Sequence, residues 1–402
     1  ERGTTEDPSQ GALAPDRPLG VYVHFPFCSI RCPYCDFAVD TRDAIPHDAY
    51  ADAILAELAA RRPWFAGGGP LVSIYFGGGT PGLWRPGALA RVVEGVRAAF
   101  GSPPADALEI TVEANPGEVD ARVADGLRAA GVNRLSLGAQ AFEDRLLRAL
   151  GRNHDAAAIP TAVRAARAAG VASVSLDLIF GVPGQSRDDW RRALDAALAL
   201  APDHVSAYAL TIERGTAFGA LDRAGKLPRP DDDATAEMFE DAGAALAAAG
   251  LPRYEVSSYA PAARRARHNS LYWAGAPYLG LGASASSFRP LADGTGFRFT
   301  NARATDSYLR ADASRPRQVE RRTADDLENE AVWLALRTVD GVDLAAHRAR
   351  HGRDARDGRA EALEACIRAG WIALDEARLR LSPRGFLFAD EIATRLWREA
   401  PV

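Results

Sequence analysis

GVYVHF at residues 20–25 runs into PFCSIRCPYCDF at residues 26–37. The first six residues are Val-rich and aromatic, the composition of a buried β-strand. Three cysteines follow at once: Cys28, Cys32 and Cys35, separated by three and then two residues. They therefore sit on a loop leaving the C-terminal end of a strand. Three neighbouring thiols cannot pair evenly as disulfides. A structural zinc site wants four Cys or His ligands, usually in two separated pairs. The chain has no second pair, and its fourth cysteine, Cys366, stands alone in a predicted helix as a buried apolar thiol. Three thiolates on one loop suit a cubane iron–sulfur cluster with one iron left without a protein ligand. Such an iron can chelate a small molecule through amino and carboxylate groups.

Outward from this stretch, strands and helices alternate. The β-like runs Leu71–Phe76, Leu108–Ala114, Arg134–Ala139, Ser173–Phe180 and His204–Leu210 are separated by helical segments, three of them closed by the echoes RAAGV (128–132), RAAGV (167–171) and AAAGL (247–251). A glycine after the last helical residue takes the left-handed conformation that ends a helix. Six βα units predict parallel strands with right-handed crossovers, hence a partial (β/α)6 TIM-like barrel with its chemistry at the C-terminal strand ends. Past Leu251 the rhythm changes. Arg253–Tyr259 reads as one more strand, followed by HNSLYW from His268 to Trp273, a Gly/Ser-rich run and a connector at Ala302–Arg322. From Thr323, helices at Ala324–Leu336 and Arg359–Ile367 precede a hairpin (Trp371–Leu374, Leu379–Leu381) and a last helix from Gly385, an α+β, winged-helix-like pattern. The expected organisation is a disordered lead-in (1–18), an α/β partial barrel (19–250), an extension and connector carrying HNSLYW (251–322) and the C-terminal module (323–402).

Composition bounds the function. The 402 residues are 47% hydrophobic and 25% charged, an ordinary globular balance, with a formal net charge of -5. An acidic chain is a poor nucleic-acid surface. The C-terminal module is no exception, with 13 Arg against 15 Asp plus Glu over Arg322–Val402. No run approaches ~18 consecutive apolar residues, so no membrane-spanning helix is expected. The start of the sequence lacks a basic region and an apolar core, and disulfides are not expected, which predicts a cytoplasmic protein.

Other polar residues fall at the predicted strand ends. Gly77-Gly78-Gly79-Thr80-Pro81 closes the second strand, where glycines let the backbone approach a ligand closely. Glu113 and Gln140 end the third and fourth strands, Asp177 lies in the fifth, and Arg152 follows the fourth. Convergent acceptors with one cation on one rim suit a cationic ligand bearing hydroxyls and a carboxylate.

CSIRCPYC resembles the signature of the radical S-adenosylmethionine (SAM) superfamily. The resemblance implies a [4Fe–4S] cluster whose open iron holds SAM and whose electron cleaves the sulfonium to a 5′-deoxyadenosyl radical, the protein binding and shielding that chemistry. EANPG (113–117), LGAQAF (137–142), GRNH (151–154) and LDLIFGVPGQ (176–185) are similar to the oxygen-independent coproporphyrinogen III oxidase family. By that similarity Tyr22, Gly78, Gly79, Thr80, Glu113, Gln140, Arg152 and Asp177 would contact SAM. The oxidase carries a further cysteine where this chain has Phe37, and an ordered N-terminal extension where this chain has a short lead-in. HNSLYW instead matches the HNxxYW motif of the HemW-type haem chaperone branch. That branch implies haem as ligand, apo-haemoproteins such as membrane respiratory enzymes as recipients, peripheral membrane contact without an integral segment, and homodimers. It also implies His268 as a haem contact, since neutral imidazole is a good axial ligand, whereas the residues by themselves favour a structural loop with His268 hydrogen-bonded and the aromatics in a core. Tyr272 and Trp273 would stack on the macrocycle, and Arg264, Arg265 and Arg267 would pair with propionates. Two alternatives stay open: oxidative decarboxylation of coproporphyrinogen III, and a radical SAM methyltransferase. Whether the protein is an enzyme stays open with them. His24 and His154 receive no chemical role.

Overall fold

The computed structural model describes residues 7–101, 103–104 and 107–398. Six parallel strands form its centre: β1 (Leu19–Phe25), β2 (Leu71–Gly78), β3 (Glu109–Ala114), β4 (Arg134–Gln140), β5 (Ser173–Phe180) and β6 (His204–Ala209). They lie side by side in chain order. β1 is buried along nearly its whole length, as expected of a strand covered on both faces. Helices such as His47–Arg61, Pro86–Phe100 and Arg187–Ala199 form the outer layer. Their starts carry local signals. Asp120 caps its helix by accepting from Val123 N–H, and Ser186 and Asp189 form a reciprocal capping box. The three echo glycines, Gly131, Gly170 and Gly250, take φ of 94°, 78° and 84°.

The barrel does not close. The two-residue strand β7 (Ser258–Tyr259) pairs antiparallel with β6 at one edge. This is all that forms from the expected strand at Arg253–Tyr259. On the other side β8 (Tyr278–Leu281) lies parallel to β1 and leads into an antiparallel meander of β9 (Ser286–Pro290), β10 (Gly296–Thr300) and β11 (Gln318–Arg322). Among the described residues the sheet thus has eleven strands, and its β7 edge is bridged by Arg253.

The expected disordered lead-in is corrected for residues 7–18; residues 1–6 lie outside the described residues. Leu13 is buried and bridges Leu291. Ala14 N–H donates to Pro290 O at 2.9 Å, and Gly69 N–H donates to Arg17 O at 3.0 Å. The buried Arg289 guanidinium donates to the Gln10 and Gly11 carbonyls. Pro/Gly-rich composition forbids a regular element there, but a charged anchor from a distant strand fixes the segment.

The C-terminal part has its own core, including Val332, Leu336, Leu363, Cys366 and Ile392. Cys366 is fully buried, in keeping with an apolar structural thiol. The helix Ala324–Leu336 is followed by β12 (Val342–Asp343), helices Leu344–His351 and Ala360–Arg368, then β13 (Ile372–Leu374) and β14 (Arg378–Leu381). The strands form a sheet of order β12-β14-β13, the winged-helix arrangement. A buried ion pair ties these helices together. Both carboxylate oxygens of Glu328 accept from Arg359, at 2.7 and 2.8 Å, and His347 lies 3.0 Å away. These partners hold the Glu328 carboxyl at about 2. Removing one member strands the other charge in a dry interior. Glu328→Ala is therefore expected to destabilise the protein by about 3–5 kcal/mol in urea unfolding. A loss below about 1 kcal/mol would mean that the pair contributes no more than a surface bridge.

Candidate functional site

A cavity of about 560 Å³ opens at the C-terminal ends of the parallel strands. Cys28, Cys32 and Cys35 line it, as do Gly78, Gly79, Thr80, Glu113, Gln140, Arg152 and Asp177. Tyr22 and His268 do not.

The cysteine loop is held at both ends. Cys28 N–H donates to Asp40 O at 3.0 Å and Asp40 N–H to Pro26 O at 2.8 Å, while Phe218 N–H reaches Pro33 O at 2.9 Å. All three thiols are free. Thr80 Oγ1 lies 3.4 Å from Cys28 Sγ, and an Arg152 Nη lies 3.6 Å from Cys32 Sγ. Burial pushes the Cys28 thiol up to about 11, so a metal that binds here must displace protons.

The glycine run is laced to this loop by backbone bonds. Gly79 N–H donates to Phe25 O and Thr80 N–H to Phe27 O, each at 2.8 Å. No side chain fits here. A Cβ on Gly78, whose φ is 109°, would lie 2.5 Å from the His24 ring, and one on Gly79 would lie 2.7 Å from the Pro26 and Phe27 backbone.

The acids are enclosed. Glu113 accepts from Tyr75 OH at 2.6 Å and Gly78 N–H at 3.3 Å, and burial raises it to about 7. Asp177 accepts from Ser136 Oγ at 2.9 Å, and burial raises it too. Arg152 donates to Gly138 O at 3.2 Å and to Asn115. Gln140 takes a left-handed φ of 63°, where the β4–β5 register shifts, a local irregularity that re-aims the strand end into the cavity.

Sequence reasoning missed Arg134. It is 4% exposed, lines the cavity from the start of β4, and its Nε has no hydrogen-bond partner. Asn115 and Asn269 also line the cavity. As the first residue of β4, Arg134 reads in sequence as an ordinary strand-start charge and carries no distinct signal.

His268 is corrected. The HNSLYW segment is not a loop but a helix, Arg267–Trp273. The His268 ring is buried, hydrogen-bonded at 2.8 Å to Ser73 Oγ through Nδ1 and at 2.8 Å to Tyr272 OH through Nε2. It stacks on Tyr75 at 5.0 Å, and burial lowers its pKa to about 3. Both nitrogens are engaged within the core, so neither faces a haem iron. The supporting residues are dispersed as well: Arg264 binds Ala172 O, Arg265 binds Asp340, and Trp273 lies under Arg337. Tyr22 is also turned away from the cavity lining, its hydroxyl 3.1 Å from His24 and its ring stacked on Tyr75.

Residues 22–197 match the radical SAM superfamily, and residues 323–388 match the HemN C-terminal domain. The chain is 38% identical over 392 residues to the haem chaperone HemW of Mycobacterium tuberculosis (strain H37Rv), covering 96% of each. The chain belongs to the HemW family of haem chaperones. HemW of Escherichia coli (strain K12) is 39% identical over 73% of this chain and 76% of its own length. The solved structure of the E. coli coproporphyrinogen III oxidase HemN, a radical SAM enzyme, superposes with a TM-score of 0.81 at 25% identity, covering 96% of this chain and 91% of that one. The family and this likeness agree with the parallel strands and the C-terminal module.

Two predictions follow from the buried groups. His268→Ala leaves two buried hydroxyls without their partner and should destabilise the protein by about 2–4 kcal/mol in thermal or urea unfolding. Glu113 has a folded pKa of about 7 against 4.5 ordinarily, so the folded state holds its proton more tightly than the unfolded chain. Its contribution therefore favours folding at low pH and declines as pH rises from about 4.5 through about 7, by about 3 kcal/mol in all. The stability of the cluster-free protein relative to Glu113→Gln should fall by that order over the window. A flat difference would remove the raised pKa.

Proposed function

We propose that Cys28, Cys32 and Cys35 hold a [4Fe–4S] cluster beside SAM, and that the protein takes up haem and passes it to apo-haemoproteins. The carrying observation is the convergence of three free thiols, a glycine edge, two buried carboxyls and the guanidiniums of Arg134 and Arg152 on a single cavity in a chain of the HemW family.

The residues fit these groups chemically. Soft thiolates suit iron–sulfur ligation. Among the described residues, no group of three or more His, Cys, Asp or Glu could hold a single metal ion, whereas a cube offers each thiolate a separate iron. The glycine edge accepts a ligand that no side chain would admit. Glu113 can accept from an ammonium, Asp177 from ribose hydroxyls, and Arg152 can pair with a carboxylate. When bound, a reduced cluster supplies an electron to the sulfonium. The polypeptide's part is to orient that sulfonium, exclude water from it, and keep the acids in low dielectric.

In the same reading, delivery to membrane respiratory enzymes proceeds by surface contact from the cytoplasmic side. No helix among the described residues is long and apolar enough to cross a membrane. Pairing into a homodimer belongs to the same reading.

The HemN likeness favours one competitor, oxidative decarboxylation of coproporphyrinogen III. One experiment separates them. Anaerobically reconstituted protein is loaded with haem and mixed with an apo-haemoprotein, and in parallel reduced with SAM and coproporphyrinogen III. Haem should appear in the recipient, by its Soret band, with no protoporphyrinogen in the parallel sample. Protoporphyrinogen without haem transfer would establish the competitor instead. Arg152→Ala should weaken SAM binding about 10–100-fold in equilibrium dialysis, because a buried carboxylate loses its charge-assisted partner. Unchanged affinity would remove Arg152 from the site.

A further inference from the structure

Cavity and rim differ in chemistry. The interior presents Arg134, Arg152, Glu113 and Asp177, groups suited to a zwitterionic nucleotide. The mouth sets exposed apolar side chains among charged ones. Seven large hydrophobic side chains among the described residues are well exposed, and three of them line this one opening: Ile30 at 39%, Phe37 at 65% and Tyr208 at 41%. Scattered exposed apolar residues need no explanation, but three at one cavity mouth form a patch. They come from opposite sides. Ile30 and Phe37 flank the cysteines on the loop after β1, and Tyr208 lies near the end of β6.

Two guanidinium groups lie by the same loop. Arg31 lines the mouth between Ile30 and the second cysteine. Arg303 donates to Asp36 O at 2.7 Å and so sits beside Phe37. The mouth also carries the carboxylates of Asp36 and Glu213. A ligand with flat apolar faces and a pair of carboxylates at one edge matches the apolar patch and the two arginines together. Haem has that form. A cavity of about 560 Å³ already given to a cluster and a nucleotide leaves no room inside for a macrocycle.

Among the described residues the lining of the cavity and its mouth offers the iron neither imidazole nor thioether. Its phenol oxygens are those of Tyr34, Tyr75 and Tyr208, and the three thiols belong to the cluster loop.

We propose that haem docks on the rim formed by Ile30, Phe37 and Tyr208, with its propionates toward Arg31 and Arg303 and its iron bound by no histidine or methionine of this chain. The proposal rests on the haem-carrying reading above. A cargo held by its faces and its carboxylates leaves without breaking an imidazole or thioether bond to the carrier, which favours transfer to a recipient with such a ligand.

The test is a haem titration of the reconstituted protein, followed by the Soret band, with iron content measured on each sample. Phe37→Glu and Tyr208→Glu should each weaken haem binding by about tenfold or more at unchanged iron content, and Phe37→Trp should retain it. Because Phe37 is two residues from Cys35, Tyr208→Glu, on a different element, decides the matter if the Phe37 variant loses its cluster. Ferric haem on the wild-type protein should give a high-spin EPR signal that persists in His268→Ala. Wild-type affinity in both glutamate variants, or a low-spin signal abolished by His268→Ala, would overturn the proposal. Absence of haem binding by the wild-type protein would instead overturn the haem-carrying reading, and the docking site with it.

Discussion

Gly79 N–H donates to the Phe25 carbonyl and Thr80 N–H to the Phe27 carbonyl, each at 2.8 Å, so the glycine edge of β2 is stitched to the root of the cysteine loop. This contact needs residues without side chains, because the His24 ring and the Pro26–Phe27 backbone occupy the space a Cβ would take. Everything functional is measured from it. It sets the thiols beside Thr80, and Thr80 is in turn 3.3 Å from Asn115, which binds Arg152. One chain of short contacts thus runs from β1 through β2 and β3 to the loop after β4. The parallel register of these strands keeps it in one plane at one end of the sheet.

The open barrel gives this site two environments. Inside, carboxyls and guanidiniums are held in low dielectric, where their charges act strongly and their pKa values move. At the mouth, the same loop that bears the cysteines turns exposed apolar side chains toward solvent. An enclosed polar chamber under a rim of exposed apolar side chains set among charged ones can hold a charged nucleotide and present a flat hydrophobic ligand next to it. The C-terminal module is braced internally by Glu328 and Arg359 and contributes no residue to the cavity lining.

The central strands were legible because buried parallel strands are written as short apolar runs, and their helices end in glycines whose left-handed conformation leaves few alternatives. The cysteine spacing and the order of polar strand ends brought seven of the nine non-cysteine candidates to the cavity. What could not be read depends on partners far away in the chain. His268 is a core residue because Ser73, 195 positions earlier, is hydrogen-bonded to its ring. The lead-in is ordered because Arg289 reaches back to Gln10. The meander β9–β11 was read as a Gly/Ser-rich run and a connector, since edge strands such as QVERR carry little apolar signal. Arg134 looked like an ordinary strand-start charge, and only the packing of the barrel interior buries it.

The most direct measurement is EPR of the anaerobically reconstituted, dithionite-reduced protein with and without SAM, alongside metal analysis. A cluster on Cys28, Cys32 and Cys35 with one open iron predicts about four irons per chain and a reduced [4Fe–4S] signal that shifts when SAM is added. Zinc at these thiols, no metal at all, or a cluster signal indifferent to SAM would contradict the account.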